Sequence, residues 1–155
     1  MFDVLRKSGG INAMARQGAV NVKIAAEAAR AMLPHMLAAF RDANGNPEGL
    51  LALLKQHGGG ELASVVMGAE QADPTPGRAL LDHLFGDGGG TGRFLDRSRA
   101  GSGVEAASAE RLAPLLAMLV GGYVAARGAG GGLGRDEVND MLIYRDPDHS
   151  RGEPI

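Results

Sequence analysis

Residues 26–40 read AEAARAMLPHMLAAF, and the reading of this stretch decides the fold. Extended by a few residues on each side, it places Val22, Ala25, Ala29, Met32, Met36 and Phe40 at steps of three and four, while Lys23, Glu27, Arg30 and Arg41 fall elsewhere. Such spacing draws one apolar stripe on a helix of 3.6 residues per turn, so the segment is an amphipathic helix laid on a core. Asn21 is placed to cap it, its side-chain carbonyl accepting an N–H of the first turn. Pro34 follows Arg30 by four residues and so lies on the polar side, where the carbonyl it frees meets water. A kink at Pro34 is the expectation, because a split would make Leu33 the cap of a new helix, and leucine caps poorly.

Working outward, the whole chain of 155 residues suits one domain with a core that needs no staples. It is 45% hydrophobic but only 4% aromatic, with 25 glycines and no tryptophan. Its core must therefore come from Leu, Ala, Met and Val, a palette suited to closely packed helices. There is no cysteine, which excludes disulfides, thiolate zinc sites and a cysteine nucleophile and agrees with a cytoplasmic location. The opening MFDVLRKSGG lacks the apolar run of a signal peptide. The uncharged apolar run at residues 112–126 reaches roughly 22 Å at about 1.5 Å per residue, short of a ~30 Å hydrocarbon layer, so it reads as a buried helix and no membrane span is expected. Charge is spread: +3 over residues 1–30, −4 over 31–92 and −1 over 93–155. No segment carries the concentrated basic footprint usual in nucleic-acid binders.

Punctuation supplies the remaining elements. Gly9-Gly10 separates two short apolar segments, and QGAVN at residues 17–21 makes a turn. In NPEGLLALLKQHGGG, Asn46 caps, Pro47 takes the first helical position and the glycines after His57 stop the helix. Residues 61–67, ELASVVM, read as a short helix because no strand partner exists for them. Thr75 is expected to cap a helix through Leu80, Leu81, Leu84 and Phe85, with the glycine-rich run GDGGGTG after it as a loop. A short helix through Val138, Met141 and Leu142 closes the fold. The result is an all-α, compact bundle of six to eight helices in one domain over residues 1–144, with a polar tail at 145–155. A weak internal duplication is suggested by a shift of 83 positions, which sets Glu27, Ala29, Leu33, Met36 and Phe40 on Glu110, Leu112, Leu116, Leu119 and Tyr123. Pro34 and Pro114 fall out of register in that alignment.

The order of an LP inside an Ala-rich helix, NPEGLLALLKQHGGG, LLDHLFGDGGG before a glycine-rich run and RLAPLLAMLVGGYVAA resembles the bacterial YidB-like family (DUF937) across roughly residues 10–135. The resemblance implies a small all-helical fold with a homeodomain-like arrangement and no established reaction. That arrangement directs attention to residues 11–33, where a short helix, a turn and a capped second helix would form a helix-turn-helix with Lys23 and Arg30 on phosphate or base edges. Glu27 lies between those two cations and repels phosphate, and the alanines of the would-be reading helix are explained by a core. Arg93, Arg97 and Arg99 form a second candidate contact for an anion or an acidic partner, weighed against a solvated helix face.

No catalytic chemistry emerges. The glycine runs lack both the dinucleotide and the phosphate-loop spacing. His35, His57, His83 and His149 have no metal-ligand spacing, Asp82 and His83 diverge on a helix, and Asp148-His149-Ser150 lies in the tail. The expectation is a non-enzyme with no cofactor and no metal: a helical protein-interaction or self-association module. Gly121-Gly122 would allow close helix contact, and Met14, Met32, Met36, Met67 and Met118 would give adaptable apolar packing or surface. A helix-turn-helix DNA binder is the runner-up, and a small-ligand or lipid pocket between the two long helices is the third reading.

Overall fold

The computed structural model describes residues 2–43, 47–56, 58–86, 90–100 and 104–128. Within them the chain is all-α, with helices α1 (Phe2–Ser8), α2 (Gly10–Gly18), α3 (Val22–Ala43), α4 (Pro47–Gln56), α5 (Glu61–Met67), α6 (Thr75–Phe85), α7 (Gly90–Arg99) and α8 (Ala106–Gly128). The expected cap Asn46, the closing helix around Val138 and the tail with His149 lie outside the described residues, as does His57.

Two long helices carry the core. α8 touches α2, α3, α4, α5, α6 and α7, and α3 touches α1, α2, α4, α6, α7 and α8. Asn21 Oδ1 accepts the Ile24 N–H at 2.8 Å, the cap expected for α3. α3 then continues through Pro34 as one unbroken element, with Pro34 half-buried. Its buried face holds Ala25, Ala29, Met32, Met36 and Phe40 as the spacing predicts, and widens to Ala28, Leu33 and Leu37. Val22 departs from the expectation: it is 48% exposed. It stands in the first turn, which overhangs the core, so the buried stripe begins three residues later at Ala25.

In the echoed helix α8, Leu112, Leu116 and Leu119 are buried like their counterparts Ala29, Leu33 and Met36. Both helices face one common core, which accounts for the shared spacing. α8 is also longer than its uncharged run. Among the described residues it is the one helix long and apolar enough to cross a membrane, at Ala106–Ala126, and 78% of its most apolar window is buried within the fold. Four of the five singled-out methionines, Met14, Met32, Met36 and Met118, are core residues.

Two start signals sit elsewhere than the sequence suggests. Thr75 does not cap α6; it is the first helical residue, and Asp73 Oδ1 accepts both its N–H at 3.0 Å and its hydroxyl at 2.7 Å. These bonds, the hydroxyl first and the N–H second, together with the charge of Arg78, hold the Asp73 carboxyl below its ordinary 3.8. A carboxyl lowered in the folded state contributes stability above its unfolded value and loses it as acid protonates the folded form. The stability difference between the natural chain and Asp73→Ala is therefore expected to be constant near neutral pH and to shrink below 3.8, as read by urea unfolding across a pH series. In the glycine-rich run, Gly90, Thr91 and Gly92 are not loop but the first turn of α7. A side chain at Gly90 would collide with the Phe85 carbonyl, which is why a glycine starts that helix. The Phe94 ring then stacks on Phe85 at 4.3 Å between centroids.

Candidate functional site

The cations singled out from the sequence do not converge. Lys23 and Arg30 are exposed and seven residues apart on α3, so they share one side of the helix, with half-buried Glu27 between them. α7 packs against the opposite edge of α3, where Ala28, Ala31 and Met32 meet Ser98 and Arg99. Arg93 and Arg97 are exposed on α7. Arg99 turns away from them: its Nε donates to the Val104 carbonyl at 3.3 Å, and its Nη1 stands 3.8 Å from Asp96. The three arginines of α7 thus do not form one anion cradle.

The third reading requires a pocket between the long helices. A narrow cleft lies there, lined by Ala28 and Met32 of α3, Ser98 and Arg99 of α7, and Ala109 of α8, and it is too tight for a water molecule. Ser98 is only 3% exposed and its hydroxyl has no hydrogen-bond partner among the described residues. An unpaired buried hydroxyl opposes folding by about 1–3 kcal/mol. Ser98→Ala is accordingly expected to leave the unfolding midpoint unchanged or to raise it, measured in urea. His83 and Asp82 are both exposed on α6, and Asp82 Oδ1 accepts the Thr91 hydroxyl at 3.3 Å rather than orienting a histidine. Among the described residues no three His, Asp or Glu side chains are grouped to hold a metal ion.

The structure instead draws attention to α5, seven residues long and seated with unusual care. Its inward side chains are Leu62 and Val66. α5 packs on the last turns of α8, where a β-carbon at Gly122 would lie 2.5 Å from the Ala63 nitrogen and one at Gly121 would meet Leu54 at 3.0 Å and Leu62 at 3.6 Å. The glycine pair thus lets two backbones approach as its sequence suggests. The other end of α5 is held by polar groups of α2. Buried Gln17 donates from Nε2 to the carbonyls of Val66 at 3.1 Å and Glu70 at 2.9 Å, and its Oε1 accepts the Ala72 N–H at 2.8 Å. Arg16 donates from Nη2 to the carbonyls of Met67 at 3.3 Å and Gly68 at 2.7 Å. Gln71 returns a bond to the Gln17 carbonyl at 3.1 Å. Outward, α5 shows Glu61, Ser64, Val65 and Met67. Val65 is 44% exposed and Met67 38%, and with Val22 they are the exposed large apolar side chains among the described residues.

Sequence reasoning missed this clamp. Gln17 and the segment it holds are about fifty residues apart, and a lone glutamine at a helix end carries no signal of burial.

A model of the family described as "Bacterial protein of unknown function (DUF937)" matches residues 6–127. The chain belongs to that family. The DUF937 match runs from the end of α1 into the last turn of α8, so it takes in α2 to α7 whole, α5 and its clamp included. No curated protein and no solved structure matches the chain.

Proposed function

We propose that this chain is a non-catalytic interaction module of the cytoplasm, and that the outward face of α5 is its protein-contact surface. The observation that carries the reading is the seating of α5. A helix of seven residues is unstable by itself, yet this one is fixed at one end by Gln17 and Arg16 and, at Ala63, by the close approach of Gly122. It buries Leu62 and Val66 while Val65 and Met67 remain in solvent. A contact helix fixed before its partner arrives loses little conformational freedom on binding, which favours association.

The test is a photo-reactive amino acid placed at exposed Ser64, with the same residue at exposed Asp42 of α3 as control. Irradiation in cells is expected to give a discrete covalent adduct from position 64 and none from position 42. No adduct at position 64 contradicts the reading.

A second reading, DNA binding through α2 and α3, draws support from the side of α3 shared by Lys23 and Arg30 and from exposed Val22 at its start, an apolar group suited to a thymine methyl. Fluorescence anisotropy against mixed-sequence duplex DNA tests it, with Lys23→Ala/Arg30→Ala alongside. No binding at low salt is expected; binding that falls steeply with salt and is lost in the double variant would reverse the ranking.

A further inference from the structure

The α5 surface, taken as the contact surface proposed above, also points to its occupant. At about 100° per residue, Leu62 and Val66 face inward and Ser64 lies in the middle of the outward arc, with Val65 on one side and Met67 on the other. Ser64 is also the middle residue of Glu61–Met67. The smallest outward side chain therefore marks the centre of the helix both along and around its axis, and a second helix can come closest at that point.

The charges at the two ends are opposite. Glu61 is exposed at the first position of α5. At the far end the Arg16 guanidinium is pinned by the Met67 and Gly68 carbonyls through Nη2, leaving Nε and Nη1 uncommitted among the described residues. Lys55, exposed before α5, and Glu70, exposed after it, carry the reverse pair of signs.

We infer that the occupant is a second copy of this chain, with the two α5 helices antiparallel about a two-fold axis at Ser64. A two-fold interface requires a self-complementary surface. Antiparallel pairing of α5 meets that requirement: it sets Glu61 against the second copy's Arg16 and Arg16 against the second copy's Glu61. It also sets Val65 of each copy beside Val65 of the other on one side of the axis and Met67 beside Met67 on the other, covering the apolar groups left in solvent. A face this small belongs to the weak end of specific interfaces, so pairing is expected at chain concentrations on the order of 100 μM and above, weakening with salt.

The chain has no cysteine, so single cysteines report contacts cleanly. Ser64→Cys and Val22→Cys, both at exposed positions, are treated in the purified full chain with a short bifunctional maleimide. Dimer yield from Ser64→Cys is expected to exceed that from Val22→Cys by roughly tenfold, because pairing raises the local concentration. Adding Glu61→Lys to Ser64→Cys is expected to bring the yield down to the Val22→Cys level. Equal yields at the two positions, or a yield indifferent to Glu61→Lys, overturn the pairing. The two proposals fail separately: a photo-adduct at position 64 whose mass differs from two chains leaves the contact surface standing and overturns the second copy, whereas no adduct and equal yields end both.

Discussion

Replacing Gly77 by alanine is expected to destabilise the fold by about 3 kcal/mol, the upper range for forcing an extra carbon into a packed interior, and to lower the melting temperature by on the order of 10 °C. Gly77 is buried on α6, where a β-carbon would overlap the Pro114 carbonyl oxygen and lie 2.7 Å from the carbonyl carbon and 2.9 Å from Cα. These are backbone atoms of α8, so no side-chain rotation relieves the collision. Relief requires α6 to move off the helix that organises the core. Gly92 provides the contrast. It lies inside α7 with nothing within 4 Å of the added carbon, so Gly92→Ala is expected to raise stability by about 0.5–1 kcal/mol through helix propensity. Thermal and urea unfolding of the two variants should move in opposite directions from the natural chain.

Gln17→Ala is expected to cost about 3 kcal/mol, because it deprives the carbonyls of Val66 and Glu70 and the N–H of Ala72 of their partner in a buried place. Gln17→Glu keeps the size but is expected to fare little better, since a carboxylate accepts from Ala72 yet cannot donate to the two carbonyls. The loss should be local before it is global: amide exchange at Ala72 and in the last turn of α5 should accelerate in both variants while α8 stays protected. Contact through position 64 should weaken with it, since the clamp is what fixes α5 in place.

The helices were legible where local chemistry decides them. The Asn21 cap, the Gly9 break, the α3 stripe from Ala25 onward and the helical state of residues 61–67 are all present as read. Local patterns fared worse at element edges. Val22 fits the stripe but overhangs the core, Thr75 looks like a cap although Asp73 two residues earlier does the capping, and Gly90 to Gly92 spell a loop yet open α7. The candidate site was the least legible part. Lys23, Arg30, Arg93, Arg97 and Arg99 attract attention as clustered charges, yet the fold ties Arg99 to Val104 and Asp96 and so breaks up the cluster on α7. Gln17 and Gly77 attract none, because their roles rest on partners distant in the chain: Gln17 meets Val66, Glu70 and Ala72, and Gly77 meets Pro114. Gly122 was the exception, since paired glycines in an apolar helix announce a close approach even when they do not name what approaches.

If α5 is held in its contact geometry by its own fold, hydrogen exchange of the natural chain at low concentration, resolved by residue, will register it. The amides of Val65, Val66, Met67 and Ala72 are expected to exchange as slowly as those in the middle of α8. Exchange of these four at the rate of an unprotected chain, with α8 still protected, would contradict it.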